Sequence, residues 1–219
     1  METSATKNRP PLDRAAIVAA AIELADADGA VAITMRNLAD RLGYKVMSLY
    51  NHVANKDELF GLMVDAVAAE IEPPSPDEQA IAAVRELAMS TRAALVRHPW
   101  APELWLHHVP GPARVVQMED LLRTLADSGL PDDLAHHGFH AVNNHVLGYT
   151  LQELAMTLDR RYTEEPDEVA KEFVASLPAE DFPHTIAHVH QHLDGETESS
   201  FELVLDLILD GLSRMAAAR

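Results

Sequence analysis

The stretch ITMRNLADRLGYKVMSLYNHVANKDELF, residues 33–60, decides the fold. Thr34 can cap a short helix with one apolar face, and Gly43 ends that helix. Only two residues separate Gly43 from a second apolar-periodic segment, residues 46–53. Because two short helices joined by so tight a turn must cross steeply, the stretch predicts a helix-turn-helix.

Helices are predicted on both sides of this stretch. Residues 14–28 carry apolar side chains at helical spacing after Asp13, a possible cap, and stop at Gly29. On the other side, residues 55–58 resemble a capping box and start a helix running to roughly residue 71. Three prolines at positions 73, 74 and 76 then end it.

The rest of the chain also reads as helices, and no alternating strand pattern is visible. The predicted spans are roughly 77–97, 101–108, 112–127, 131–158, 182–193 and 198–216. Residues 159–181 are charged and interrupted by proline, so we predict a partly ordered connection there. The fold class is therefore all-α.

Composition and charge divide the chain into two parts. The net charge of −18 at first opposes a nucleic-acid partner, but residues 1–60 carry 7 Lys/Arg against 8 Asp/Glu, and residues 61–219 carry 10 against 27. The first part can therefore present a local positive face. The chain has no cysteine, and it shows neither a signal peptide nor an apolar run that could span a bilayer. We expect a cytoplasmic protein without a membrane partner.

Residues 16–67 resemble the N-terminal domain of the tetracycline-repressor (TetR) family. The resemblance combines Thr34 and Arg36 at the start of the second helix, the motif Leu-Ala-x-x-Leu-Gly, the motif Ser-Leu-Tyr-x-His at 48–52, and Lys56. It implies a dimeric repressor that binds a palindromic DNA operator and is released by a small-molecule effector. It also implies that the chain is not an enzyme.

The segment 46–52 is the predicted DNA-reading helix. Leu49 and Val53 lie four residues apart and can pack inward, which leaves polar residues and a methionine facing the major groove. The resemblance assigns phosphate contacts to Tyr50, Lys56 and Arg36. The full set of predicted DNA-binding residues is Thr34, Arg36, Lys45, Met47, Ser48, Tyr50, Asn51, His52 and Lys56.

These assignments divide the chain into functional regions. Residues 1–11 are predicted to be a flexible arm and residues 12–60 a three-helix, helix-turn-helix DNA-binding domain. Residues 61–219 are predicted to be a larger helical domain for ligand binding and dimerisation. The helix at roughly 55–71 connects the two domains.

The helix predicted around residues 201–212 has more apolar surface than one monomer requires. Eight of these twelve residues are apolar, and the three carboxylates fall on a single stripe. One interpretation is a homodimer interface, which the family resemblance implies for this helix and the long helix before it. The alternative is a helix that is fully central within one monomer.

A stripe on the helix at 131–158 indicates an effector site. His140, Asn144, Gly148 and Gln152 recur every four residues beside an apolar stripe, which suits a cavity wall but equally suits the solvent edge of a helix. The predicted effector-binding residues are Trp105, His108, Met118, His140, Asn144 and Gln152.

The resemblance extends to the C-terminal domain of the family's tetracycline-binding members. In that register, the positions that hold drug-bound magnesium are Trp105, Asn144 and Gln152 here, so two imidazoles and a carboxylate are absent. We expect the architecture to carry over without the magnesium–tetracycline specificity. We predict no cofactor and no resident metal.

The sequence leaves two other functions as alternatives. His184, His188 and His192 are spaced four apart, so a metal-sensing repressor is an alternative. An all-helical enzyme is a second, but the sequence contains no Gly-rich phosphate loop, nucleophile elbow or HExxH motif.

Overall fold

The computed structural model describes residues 11–78, 80–162, 166–193 and 200–219. All regular structure in these ranges is helical, which confirms the all-α fold class. The helices are α1 (Arg14–Asp28), α2 (Met35–Leu42), α3 (Val46–Tyr50), α4 (Lys56–Ala68), α5 (Ala80–Arg97), α6 (Ala101–His107), α7 (Pro112–Asp127), α8 (Asp132–Tyr162), α9 (Pro166–Ser176), α10 (Pro183–Leu193) and α11 (Ser200–Ala217), with a short 3₁₀ turn at Ala30–Ala32. The predicted arm at residues 1–11 lies outside the described residues except for its last position.

Side-chain caps start three of the first four helices. The Asp13 carboxylate accepts from the backbone N–H of Ala16 at 2.7 Å, and the Thr34 hydroxyl accepts from Asn37 at 3.0 Å. At α4, the Asn55 side-chain oxygen accepts from the Glu58 N–H at 2.8 Å. These contacts satisfy N–H groups that have no partner inside the helix, so the local sequence suffices to place the starts.

The helix-turn-helix forms as predicted, but its second helix is shorter than expected. Gly43 ends α2 in the left-handed conformation, with φ of 70°. The predicted reading helix at 46–52 ends at Tyr50, because the N–H groups of His52 and Val53 both donate to the Leu49 carbonyl and close the chain into a turn. Asn51 and His52 therefore follow the helix rather than belong to it.

The predicted connection at residues 159–181 is wrong for most of its length. Helix α8 continues to Tyr162, and Pro166–Ser176 forms α9. Proline is accepted at the first position of a helix, where its missing N–H is not needed, and Asp167 and Glu168 in the first turn complement the helix dipole. The proline that seemed to interrupt a helix instead begins one.

The chain packs as two compact units that do not follow a single cut along the sequence. The first unit comprises the residues up to Glu72 together with Ala93–Met118, and the second comprises Pro73–Arg92 with Glu119–Arg219. Helices α5 and α7 therefore each contribute to both units. The predicted functional boundary between residues 60 and 61 stays a prediction.

Each unit has its own apolar core. In the first unit, α1 packs on α2 and α4, α2 packs on α3, and α4 packs on α6. In the second unit, α8 packs against α11. Fully buried side chains include Ile17, Ile33, Leu38, Leu49 and Leu59 in the first unit and Leu87, Leu125, Leu134, Phe201 and Leu205 in the second. Within the described ranges, no helix combines the length and apolar character needed to cross a membrane.

The turn between α2 and α3 depends on Gly43, which adopts a φ of 70°. Gly43→Ala should lower the free energy of unfolding by about 1–2 kcal/mol, because a Cβ is unfavourable in the left-handed region. Gly43→Asn is the matched control and should lose less, since asparagine tolerates this conformation. Denaturant unfolding measures both variants, and an alanine variant as stable as the parent would contradict the role assigned to this glycine.

Candidate DNA-binding and effector sites

Helix α3 and the turn after it separate packing residues from exposed ones. Leu49 and Val53 are buried to 0% and 1% exposure, whereas Met47 retains 72% of its accessible surface. Among the other predicted DNA-binding residues of this segment, Lys45, Tyr50 and Asn51 are exposed, and Ser48 and His52 are half-buried. One side of this short segment thus anchors it, and the other presents a hydrophobic side chain among polar ones.

The three remaining predicted DNA-binding residues lie at the starts of helices. Thr34 is exposed, but its hydroxyl already caps α2. Arg36 is exposed in the first turn of α2, and Lys56 is exposed at the first position of α4, with its ammonium 4.8 Å from the centre of the Phe60 ring. Helix starts carry free N–H groups and the positive end of the helix dipole, which suits phosphate binding.

Arg14 holds the turn after α3, and sequence reasoning did not identify it. Its Nε donates to the backbone carbonyl of His52 at 3.0 Å, and its guanidinium lies 3.5 Å from the Glu58 carboxylate. The Glu58 carboxylate also accepts from the N–H of Ala54 at 2.5 Å. Helices α1 and α4 therefore fix the end of the reading segment from two sides.

The six predicted effector-binding residues fall in both compact units. Trp105 and His108 are in the first unit with Met118, which is half-buried on α7. His140, Asn144 and Gln152 are in the second unit and are exposed on α8, on the side away from the buried Val142 and Val146. Their role in effector binding stays a prediction.

Trp105 is held by a buried arginine. The Arg114 guanidinium lies 4.6 Å from the indole ring centre and donates to the carbonyls of Trp105 at 2.9 Å and His108 at 2.8 Å. Burial lowers the pKa of Arg114 below its ordinary value, and the charge of Asp65 opposes that shift. The arginine thereby satisfies carbonyls at the C-terminal end of α6 that have no partner within the helix.

Asp65 supplies a cap from a distant helix. Its carboxylate accepts from the N–H groups of Ala113 at 3.2 Å and Arg114 at 2.9 Å, at the start of α7. A Cβ on Gly111 would lie 2.5 Å from the Asp65 side chain, so only glycine allows this approach. The sequence contains only an indirect sign of this contact. Helix α7 begins at Pro112 after a glycine, and no neighbouring side chain can cap it, so the cap had to come from elsewhere in the chain.

His108 packs on α4. Its ring meets the Phe60 ring edge-to-face at 6.2 Å, and its Nδ1 lies 2.8 Å from the carbonyl of Leu104. Its Nε2 is buried and lies 3.3 Å from the Asp57 carboxylate. In this structure the ring therefore contacts the helix that follows the reading segment.

A second histidine, His98, sits between two carboxylates in the first unit. Its Nδ1 is 2.8 Å from Asp26 on α1, and its Nε2 is 3.2 Å from Glu70, just beyond α4. The indole N–H of Trp100 also donates to Asp26, at 2.7 Å, and Arg97 contacts Glu70 at 3.0 Å. Sequence reasoning missed this cluster because its members lie far apart along the chain.

The metal-sensing alternative is not supported. His184 and His188 are exposed on α10, and the side chain of His192 lies outside the described residues. Among the side chains that the structure describes, no group of three histidines or carboxylates could hold a metal ion.

An exposed reading helix on a helix-turn-helix, followed by a helical second part, defines a DNA-binding regulator. Residues 17–63 match the family model "Bacterial regulatory proteins, tetR family". Residues 72–216 match "Tetracyclin repressor-like, C-terminal domain". The chain belongs to the TetR family of transcriptional regulators, and the resemblance stated from the sequence is confirmed.

Two individual relatives are similar along nearly the whole chain. The HTH-type transcriptional repressor DrrR1 of Streptomyces coeruleorubidus is 30% identical over 221 residues, which covers 96% of this chain and 81% of the relative. Apo ActR of Streptomyces coelicolor superimposes with a TM-score of 0.79 and 31% identity over 95% of this chain and 98% of ActR. ActR is also known in complex with (S)-DNPA and with actinorhodin.

A third relative was solved with DNA. BioQ, bound to its natural double-stranded operator, superimposes with a TM-score of 0.60 and 28% identity over 69% of this chain and 92% of BioQ. Together these comparisons establish a ligand-responsive DNA-binding repressor. Because family members are transcriptional regulators, the enzyme alternative is set aside.

Arg114 should be a major contributor to the stability of the first unit. Arg114→Met keeps much of the side-chain volume but leaves the carbonyls of Trp105 and His108 without their donor, so we expect a loss of about 2–3 kcal/mol. Arg123→Met on the same helix removes only an exposed contact to Asp120 and should change stability by less than about 0.5 kcal/mol. Chemical denaturation compares the two, and equal losses would argue against the buried role.

Proposed function

We propose that the chain works as a homodimer that binds a palindromic operator and leaves it when a small-molecule effector binds. The observation that carries the proposal is the division of α3 and its turn into a buried side, with Leu49 and Val53, and an exposed side around Met47. Two such segments, related by a dimer axis, would enter successive major grooves about one helical turn apart.

The exposed residues divide by chemistry into readers and anchors. Asn51 carries an amide that can donate to and accept from a base edge, and Met47 can contact a thymine methyl group. Lys56 offers only a charge, and Arg36 lies in the first turn of α2, so we assign both to phosphates. Anchors of this kind set the register of the protein on DNA, and the readers set the sequence.

The dimer is supported by the surface of α11. Phe201, Leu205, Leu209 and Leu212 form its buried face. On the opposite side of the helix, Leu203 and Leu207 keep 63% and 58% of their accessible surface in the single chain.

The acidic stripe occupies the remaining side of α11. Arg85 contacts Glu202 at 2.6 Å and Asp206 at 2.8 Å, and these hydrogen bonds, first that with Asp206, raise the pKa of Arg85. Two of the three carboxylates of the stripe are thus paired within the chain, whereas the second apolar face is left exposed. A second copy of the chain is the occupant that the family architecture favours for this face.

The dimer also bears on the effector site. His140, Asn144 and Gln152 are exposed on α8 in the single chain, so a cavity that they line needs a wall from elsewhere. We infer that the partner subunit supplies it. ActR, which is similar along its whole length, was solved with two organic ligands, and we propose an organic small molecule as effector here as well. By linkage, operator DNA must weaken effector binding by the factor by which effector weakens DNA binding.

The target also determines the compartment. An operator lies on the chromosome, and the family model describes bacterial regulators. We therefore propose that the protein acts in the cytoplasm.

Selection from random double-stranded DNA tests the proposal and the division of roles together. The parent should enrich a palindrome at moderate salt. Lys56→Ala should retain that motif but bind all sequences more weakly, with a salt slope reduced by about one counterion. Asn51→Ala should relax the preference at one position, by roughly 1–3 kcal/mol if the contact is bidentate.

The control for this selection is Arg123→Ala, which removes an exposed charge from α7 and should leave both motif and affinity unchanged. Failure to enrich any palindrome would refute the proposed function. If Asn51→Ala keeps the motif while Lys56→Ala alters it, the division between readers and anchors is reversed.

The proposed interface is tested by Leu207→Asp. Leu207 is exposed in the single chain, so the monomer should still fold, but the added charge would be buried unpaired in a dimer at a cost of several kcal/mol, roughly 3–5. We expect monomers by analytical ultracentrifugation. Ser213→Asp adds the same charge on the acidic side of α11 and should remain dimeric; a dimeric Leu207→Asp variant would exclude this face from the interface.

A further inference from the structure

Helices α4 and α6 are joined by a histidine–carboxylate contact at each end. His98 precedes α6 by three residues and contacts Glu70, which lies just beyond the end of α4. His108 directly follows α6 and contacts Asp57 in the first turn of α4. The start of one helix thus meets the end of the other, and the pair runs antiparallel with one ring at each end.

The contacts of His98 need a proton on both ring nitrogens. Asp26 and Glu70 face opposite nitrogens of the ring, at 2.8 Å and 3.2 Å, and carboxylates can only accept. A neutral imidazole has one N–H and can donate to only one of them. An imidazolium donates to both, in charge-assisted hydrogen bonds. His98 is a buried residue, with 8% of its surface accessible, so solvent does not readily replace a lost partner.

The same argument holds for His108 through a different partner. The Leu104 carbonyl, 2.8 Å away, can only accept, so Nδ1 carries a proton in either charge state of the ring. In the neutral ring, Nε2 would present a lone pair to the Asp57 carboxylate at 3.3 Å. This nitrogen is shielded from solvent and makes no hydrogen bond in the described structure. Protonation turns a repulsive contact into an attractive one.

The neighbouring charges do not remove the need for these protons. At His98, Arg97 shares Glu70, and the Trp100 N–H shares Asp26. Around His108, the Arg114 guanidinium binds the backbone carbonyl of His108, and Lys56 lies over the Phe60 ring. Arg97 and Trp100 leave both carboxylates next to the His98 ring. Neither Arg114 nor Lys56 lies between the Nε2 of His108 and Asp57.

We propose that His98 and His108 act as two proton-dependent clasps that hold α4 on α6 and thereby orient the DNA-reading segment. The proposal rests on the proposed function. Helix α4 begins directly after that segment, and its Glu58 carboxylate holds the N–H of Ala54. The angle of α4 therefore sets the position of α3.

The sign of the pH effect follows from the geometry. With a proton on both nitrogens, each ring keeps both of its acceptors and both clasps are closed; when rising pH removes one proton, each ring loses one carboxylate contact. A reader held in one orientation loses less freedom on binding, so the closed form binds operator more tightly. Operator affinity therefore falls with rising pH, and His98 and His108 are positioning residues for DNA binding.

The first test measures the operator dissociation constant at about pH 6 and about pH 8 in constant salt, using the palindrome selected by the parent. Between these values the parent should lose about tenfold more affinity than the His98→Gln/His108→Gln variant. His52, a predicted DNA-binding residue, is present in both proteins, so its contribution cancels in the comparison. His107→Gln, whose exposed ring bonds only within α6, is the matched control and should behave as the parent.

The second test does not need DNA. On going from about pH 8 to about pH 6, the melting midpoint of the parent should rise by about 3 °C more than that of the double variant. If the double variant does not fold, Asp57→Asn replaces it, since the Asp57 side chain is 89% exposed, and it should lose part of this extra rise.

The two tests separate the proposals. If the protein selects no operator but shows the melting difference, the proposed function is refuted and the clasps are supported. Equal pH dependence of melting in parent and variants overturns the clasps. A melting difference without a difference in operator affinity, or an affinity that rises with pH, overturns their role in DNA binding.

Discussion

The apolar face of α4 is the contact on which the first unit depends. Leu59, Met63, Val64 and Val67 are all fully buried, and the helix packs on α1 on one side and α6 on another. Because α1 in turn supports α2, and α2 supports α3, the five-residue reading helix has no stability of its own and takes its position from this packing. Moving α4 must therefore move the surface that we propose meets DNA.

The acidic residues along α4 are part of its packing. Asp57, Asp65 and Glu70 lie near its start, middle and end, and each has a partner in the segment from His98 to Arg114. A composition so rich in carboxylates suggests a solvated surface, but these three carboxylates bind α4 to the segment that packs against it. The two outer ties involve histidine, whereas Asp65 binds backbone N–H groups that do not titrate.

The second unit, by contrast, leaves apolar surface exposed in the single chain. One face of α11 is buried on α8, and Arg85 contacts two carboxylates of its acidic stripe. A further apolar face of α11 remains exposed, together with a polar stripe on α8. A contiguous apolar face left exposed on a folded helix often marks an interaction site. The proposed pairing of two chains would cover both exposed surfaces in a single arrangement.

The sequence alone determined the features whose causes lie within a few residues. Thr34, Gly43 and Asn55 place the helix-turn-helix because each acts on N–H groups or dihedral angles beside it, and Leu49 and Val53 orient the reading face through helical spacing. The same local reading ended α3 too late and took Pro166 for a break, because a proline that ends one helix and a proline that starts another look alike without the chain path. Only the tertiary structure decided the partners of Asp65, 48 residues from Ala113, and of His98, 72 residues from Asp26. Such contacts depend on where packed helices bring distant side chains together, and no periodicity in a single sequence encodes that distance.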